Sequence, residues 1–199
     1  MILDIPFVVA DVETTGSCPF PDRVIEIGAV KVLNGKIVDN FSTLVNPGRN
    51  IPPIITWLTG ITNKDVAKAP SFIEVAEDFK NFLGDAVFVA HNVHFDYRFM
   101  SAEFLMAEYG PLKNPMLCTI KLARRTFPGL LYYNLVDLCR NLKIPLVKAH
   151  RADHDAQAAA HILIKSMKKL AACGFGDMEE FGRFYRNSPA ECAKMLQMI

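Results

Sequence analysis

Phe7-Val8-Val9-Ala10-Asp11-Val12-Glu13-Thr14-Thr15-Gly16 is an apolar run that ends in acids. Phe7 to Ala10 has the length and β-branched content of a buried strand, placed centrally in a sheet. Asp11 and Glu13 stand two residues apart at its end, so strand alternation turns both carboxylates to one face. Alone the pair says little, because acids at a solvated strand terminus are common. Thr14-Thr15-Gly16 adds two hydroxyls and a flexible residue where a backbone can approach a phosphate or a nucleotide sugar.

Working outward, two strands, Val24 to Leu33 and Lys36 to Val45, flank Asn34-Gly35, a pair suited to the positive backbone angles of a tight hairpin. They form an antiparallel edge. Asn46 to Pro53 is a loop with three prolines, and Ile54 to Leu58 leads into Thr59-Gly60-Ile61-Thr62. Pro70-Ser71 opens a helix with Phe72, Val75, Ala76, Phe79, Phe82 and Leu83 at helical spacing up to Gly84. Ala86 to Ala90 is a further short strand, followed by a helix with Phe95, Phe99, Ala102 and Met106 on one stripe until Gly110, a parallel-sheet unit. Helical patterns recur at Thr119 to Thr126 and Asn134 to Leu142. A long helix from about Ala152 to Ala172 offers Ala156, Ala159, Ala160, Leu163 and Met167 as a packing face. The economical assembly is an α/β/α sandwich on a mixed sheet.

A chain of 199 residues that is 51% hydrophobic suits one domain with a sizeable core. The formal charge of +1 excludes a protein that coats nucleic acid by charge alone, so any such contact is local. No stretch reaches the roughly 18 consecutive apolar residues of a membrane span, and the N-terminus lacks a basic leader, so a cytoplasmic protein without membrane partners is expected. Cys18, Cys118, Cys139, Cys173 and Cys192 are an odd set without a Cys-x-x-Cys pair, read as reduced filler.

Two further clusters carry acids. His91-Asn92-Val93-His94-Phe95-Asp96 runs from a strand end into the first turn of a helix, and His150-Arg151-Ala152-Asp153-His154-Asp155 stands at the start of the long one. Each has a plain reading: Asn92 and Asp153 as N-caps, Asp96 and Asp155 as first-turn acids favoured by the helix dipole. That reading does not account for three acid-bearing clusters at strand ends or helix starts. Carboxylates resist ionising side by side unless cations neutralise them. Oxygen ligands suit Mg²⁺ or Mn²⁺, and two such ions can activate water and stabilise the leaving oxygen in phosphodiester hydrolysis. Four acids are enough to seat two ions, and histidine, titrating near neutrality, can take the proton of the attacking water, a role His150 fits. His91/His94 and His150/His154 also have zinc-binding spacing, but a zinc enzyme leaves Asp11, Glu13 and Thr14 unexplained.

In order, spacing and context, Asp11-Val12-Glu13-Thr14-Thr15-Gly16, His91-Asn92-Val93-His94-Phe95-Asp96 and His150 followed five residues later by Asp155 closely resemble the histidine-containing branch of the DEDD exonuclease superfamily (DnaQ-like), nearest the proofreading epsilon subunits of bacterial DNA polymerase III. Ile51-Pro52-Pro53 through Leu58-Thr59-Gly60-Ile61-Thr62 resembles that family's loop packing on the terminal nucleotide, so the likeness covers about residues 5 to 172. The resemblance implies a ribonuclease H-like fold with a five-stranded mixed sheet. It implies that Asp11, Glu13, Asp96 and Asp155 hold two divalent ions, Mg²⁺ or Mn²⁺, with His150 as base. Thr14, Leu58 and Phe95 match positions contacting the terminal nucleotide, and Thr15, Gly16, Thr59, Ile61, Asn92 and His150 complete the expected substrate contacts. Thr59 departs from the histidine usual in that loop, which puts a stacking or polar role there in doubt.

The expected partner is a single-stranded DNA 3′ end, with an RNA-trimming relative and a catalytically silent binding subunit as alternatives. A replicative polymerase is a further possible partner, held through a tail. Residues 173–199, a helical extension beyond an exonuclease domain of 1–172, are short for that, and Gln197-Met198-Ile199 does not make a convincing clamp-binding peptide. Lys121, Arg124 and Arg125, with Lys143, Lys148 and Arg151, could line a strand track, while Lys165, Lys168 and Lys169 suit a solvated face. Phe127, Tyr132 and Tyr133 could stack on bases but suit loop anchoring better.

Overall fold

The computed structural model describes residues 2–147 and 149–197. Lys148, Met198 and Ile199, and with them part of the strand-track and tail readings, lie outside the described residues. Five strands form one sheet: β1 (Phe7–Thr14), β2 (Val24–Leu33), β3 (Lys36–Leu44), β4 (Val87–Ala90) and β5 (Met116–Cys118). The order is β3-β2-β1-β4-β5, with β1–β2 and β2–β3 antiparallel and β1–β4 and β4–β5 parallel. Asn34 and Gly35 have φ of 53° and 66°, the positive pair that a tight β2–β3 turn requires. β1 is central as expected, but it continues through the acids to Thr14.

The helices are α1 (Pro53–Thr59), α2 (Asn63–Val66), α3 (Phe72–Leu83), α4 (Val93–Met106), α5 (Thr119–Thr126), α6 (Leu135–Leu142), α7 (Ala152–Ala172), α8 (Met178–Arg186) and α9 (Pro189–Gln197). Strand alternation divides the core into two layers. Val8, Ala10, Val12, Ile27, Ala29, Phe88 and Ala90 pack on α3 and α4 through Phe79, Phe99, Met100 and Phe104. Phe7, Val9, Val30, Val32 and Val89 pack on the other face against Leu122, Leu163 and Met167 of α5 and α7. Burying each of these large side chains contributes roughly 1.5–3 kcal/mol. Helices on both faces of a mixed sheet make the expected α/β/α sandwich. α8 and α9 add Phe181, Phe184 and Cys192 to the second layer, so the segment beyond residue 172 packs on the same core.

Several local expectations change. Ile54 to Leu58 belongs to helix α1, begun by Pro53 at a position where a missing N–H costs nothing and ended by Gly60 at φ 77°. The buried residues of α4 are Val93, Asp96, Phe99, Met100, Ala102, Glu103 and Phe104, so Phe99 and Ala102 of the expected stripe are buried while Phe95 is half-buried and Met106 is exposed. Glu103 is tolerated there because Arg23 pairs with it through Nε and Nη2 at 2.8 and 2.6 Å and the Val24 N–H donates at 2.9 Å. Arg151, not Asp153, is the N-cap residue of α7.

Candidate active site

The acids of the first motif are placed by strand register. Asp11 pairs with Gly28 and Glu13 with Glu26, so both face the side on which α7 begins. The pairing of β1 with β4 stops at Val9↔Val89, which leaves the Val12 N–H without a β4 partner. Asp96, in the first turn of α4, takes that place: its Oδ1 accepts the Val12 N–H at 3.1 Å. Asp155, in the first turn of α7, accepts the backbone N–H of His150 on Oδ2 at 2.9 Å. Its Oδ1 is buried without a hydrogen-bond partner. One ring nitrogen of His150 and one carboxylate oxygen each from Glu13 and Asp155 lie within 4.8 Å of one another. Two elements from opposite faces of the sheet thus meet at the end of β1, where an open α/β sheet places its crevice.

Charge crowding is the electrostatic signature of this place. Burial, and then Asp96, Asp155, Glu13 and Glu26, push the Asp11 carboxyl well above the usual range. Burial, Asp155 and Glu26 raise Glu13 to about 7 against the opposing Arg151 guanidinium. Burial raises Asp96 to about 8 although the Val12 N–H favours its charged form, and burial also raises Asp155. Buried carboxylates that cannot all ionise, one with an oxygen lacking any donor, form a ligand set suited to hard divalent cations. The donor chemistry therefore fits the expected metals.

A stability prediction arises here. In the unfolded chain Glu13 and Asp96 lose their protons near pH 4, whereas the folded protein keeps them to about 7 and 8. Between those limits the unfolded state binds fewer protons, so this contribution to stability is full below about pH 4 and is lost as pH rises through 7 and 8. Chelator-treated protein should melt roughly 5 °C or more lower at pH 8 than at pH 5, and Mn²⁺ should recover most of the loss. A flat melting profile in chelator would show that the carboxylates are not crowded.

Other expected residues fall differently. The Thr14 hydroxyl donates to the Gly16 carbonyl, and the Thr15 hydroxyl engages Asp22 and accepts from the Arg23 N–H, so both brace their loop. Thr59 is buried, its hydroxyl donating to the Ile55 carbonyl and accepting the Ile61 N–H, and Ile61 is buried too. Leu58 is exposed, and Phe95 is half-buried against Phe99 at 4.9 Å between ring centres. Asn92 holds the N-cap position of α4 at φ 79° without a side-chain capping bond.

His91 is structural. Its Nε2 is 3.1 Å from the Tyr133 carbonyl and its Nδ1 2.8 Å from the Thr119 hydroxyl, and burial lowers its pKa to about 4. A carbonyl only accepts, so Nε2 holds the proton. Among the described residues the group able to hold a metal is Glu13, His150 and Asp155, which contains neither the His91/His94 nor the His150/His154 pair of the zinc reading as a whole.

The proposed strand track also shrinks. Arg125 is buried and donates to the Asn187 and Lys121 carbonyls, and Arg151 is paired with Glu26. Lys121, Arg124 and Lys143 remain exposed. Two features were not anticipated. Glu26 is a buried acid in the apolar run Val24-Ile25-Glu26-Ile27, and a charge in such a strand demands a partner. Trp57, 79% exposed beside Leu58, was hidden by the short length of α1.

Known proteins resemble the chain in sequence and in fold. A family model described as exonuclease (RNase_T) matches residues 8–163. The chain is 41% identical over 177 residues to the DNA polymerase III subunit epsilon of Aquifex aeolicus (strain VF5), covering 88% of each. It is 38% identical over 202 residues to the PolC-type DNA polymerase III of Halalkalibacterium halodurans, covering 98% of this chain and 14% of that one. The chain thus spans about a seventh of that relative. The solved structure of exonuclease X in complex with 5′ overhanging duplex DNA superposes with a TM-score of 0.72 at 29% identity, over 90% of this chain and 99% of the other.

Proposed function

The chain belongs to the exonuclease family, and from that membership we propose that it removes nucleoside monophosphates stepwise from the 3′ end of single-stranded DNA, as a proofreading or repair nuclease. The observation that carries this reading is the meeting of Glu13, His150 and Asp155 beside a buried Asp155 oxygen that lacks a donor. Members of this family generally use divalent metals. Asp11, Glu13, Asp96 and Asp155 would hold two ions, Mg²⁺ or Mn²⁺, which when bound supply Lewis-acid polarisation of the phosphoryl group and lower the pKa of water.

The remaining work falls to the protein's own groups. His150, exposed at the rim with a ring nitrogen near Glu13, accepts the proton of the attacking water. The new bond joins the water oxygen to phosphorus, and the bond from phosphorus to the 3′ oxygen of the preceding nucleotide breaks. Leu58, Trp57 and Phe95 offer apolar surface on which the terminal base can stack. Thr14, Thr15 and Gly16 act through the backbone of their braced loop. Asn92 closes the turn before Asp96. DNA is preferred over RNA as substrate because the epsilon relative is covered along most of its length and exonuclease X is seen with DNA. A polymerase partner fits the epsilon and PolC relatives, and in that arrangement residues 1–172 form the nuclease domain and 173–199 a helical extension.

Single-stranded DNA and RNA labelled at either end, incubated with Mg²⁺ or Mn²⁺, test this. Stepwise loss of the 3′ label only, faster on DNA and slowed on the order of 10³-fold in His150→Ala, is expected. Faster loss from RNA would make the enzyme an RNA-trimming relative, and strand binding without cleavage under either metal would make it a binding subunit.

A further inference from the structure

His150 is exposed and sits in a turn at φ 63°, a left-handed conformation that a side chain rarely adopts unless its surroundings impose it. The restraint comes from the next residue. Arg151 donates to Glu26 Oε1 through Nη2 at 2.6 Å and Nε at 3.0 Å, and the Ala152 N–H donates to Glu26 Oε2 at 2.9 Å. Glu26 is only 2% exposed, so this bidentate pair is held in a poorly solvated place where its geometry is stiff. One strand position binds both the side chain beside His150 and the first N–H of α7, the helix that carries Asp155.

Register extends the restraint to Glu13. Glu13 and Glu26 are direct cross-strand partners, an arrangement of like charges that is unfavourable without a cation between them. Arg151 is that cation, opposing the carboxyl's elevation at Glu13 while bonded to Glu26. We infer that Glu26 and Arg151 are a positioning pair, which locks the His150 turn and the first turn of α7 against β1 so that the imidazole, Glu13 and Asp155 stay within reach of one another. The inference rests on the proposed nuclease reading for its consequence on rate, and on the ion pair alone for its consequence on the turn.

Glu26→Gln keeps the side chain's volume and one acceptor but sets an amide N–H₂ against the donors of Arg151 or Ala152. Its single-turnover rate on 3′-labelled single-stranded DNA should fall roughly 10–100-fold with KM changed less than about 3-fold, since a misplacement of about 1 Å costs on that order. In a His150→Ala background, read on the residual single-turnover rate, the same substitution should cost clearly less than in the wild type, because one of the groups it positions is gone while Asp155 remains. Arg151→Lys should recover part of the rate lost in Arg151→Ala. Amide hydrogen exchange over residues 150–156 should accelerate about 10-fold or more in Glu26→Gln, while β1 and β2 amides stay protected.

An equal loss of rate in both backgrounds, or unchanged exchange over 150–156, would overturn the inference. If the wild-type protein cleaves nothing, the nuclease reading fails by itself, and the exchange measurement alone decides whether the pair holds the turn.

Discussion

Asp11→Asn is expected to lower the single-turnover rate of 3′-end release on the order of 10³-fold or more, and to raise the melting temperature of the chelator-treated protein by roughly 3 °C or more. The two effects have one cause. Burial, and then the neighbouring carboxyls of Asp96, Asp155, Glu13 and Glu26, lift the pKa of Asp11. An amide at this position removes a charge that the fold accommodates poorly, so the metal-free protein gains stability. It also removes one carboxylate from the set proposed to hold two cations, so the rate collapses. Mn²⁺ titration read by melting should show the third side of the same effect, a smaller stabilisation by metal in Asp11→Asn than in the wild type. Loss of activity together with loss of stability would identify Asp11 as a structural residue and remove it from the proposed ligand set.

What could be read before the structure was known follows how local each signal is. The Asn34-Gly35 turn and the start of α3 are written in adjacent residues: two positive φ values in the first case, and in the second Ser71 and Glu74 exchanging hydrogen bonds across a capping box. The acids were legible for the same reason, each lying in a short motif at an element's end. β5 was not, because three residues are too few to show alternation and the strand exists only by pairing with β4. The inward face of α4 was read only in part because periodicity counts apolar residues, whereas Asp96 and Glu103 are buried there with partners more than 75 positions away in sequence. Arg125 and Arg151 looked like strand-binding cations for the mirror-image reason: their partners, the Asn187 carbonyl and Glu26, lie 62 and 125 positions distant. Charge type is visible in a sequence, but whether a charge is already engaged depends on the fold.

Gly28→Ala should show how closely the site depends on one missing side chain. A Cβ at this position would meet the Ala152 carbonyl carbon and oxygen and the Asp153 nitrogen at 2.1–2.3 Å, all of them backbone atoms of α7 that no rotamer change can withdraw. Gly28 cannot retreat either, since β2 is paired through it to Asp11 of β1 on one side and Ser42 of β3 on the other. The first turn of α7 must therefore lift from the sheet, at a cost of about 2–4 kcal/mol, or roughly 4–16 °C in melting temperature. The same shift carries Asp155 and the His150 turn away from Glu13, so the remaining folded enzyme should be slower by roughly 10²-fold. Gly16→Ala is the informative contrast. There the added Cβ meets the Asp22 carboxylate at 2.3–2.6 Å, a side chain that can swing aside by giving up its bonds to the Cys18 N–H and the Thr15 hydroxyl. Its expected loss is about 1–2 kcal/mol, the worth of those hydrogen bonds. Equal effects at the two glycines would mean that α7 is not seated on Gly28, and the backbone contact would no longer explain how a helix on one face of the sheet brings its acid to the end of β1.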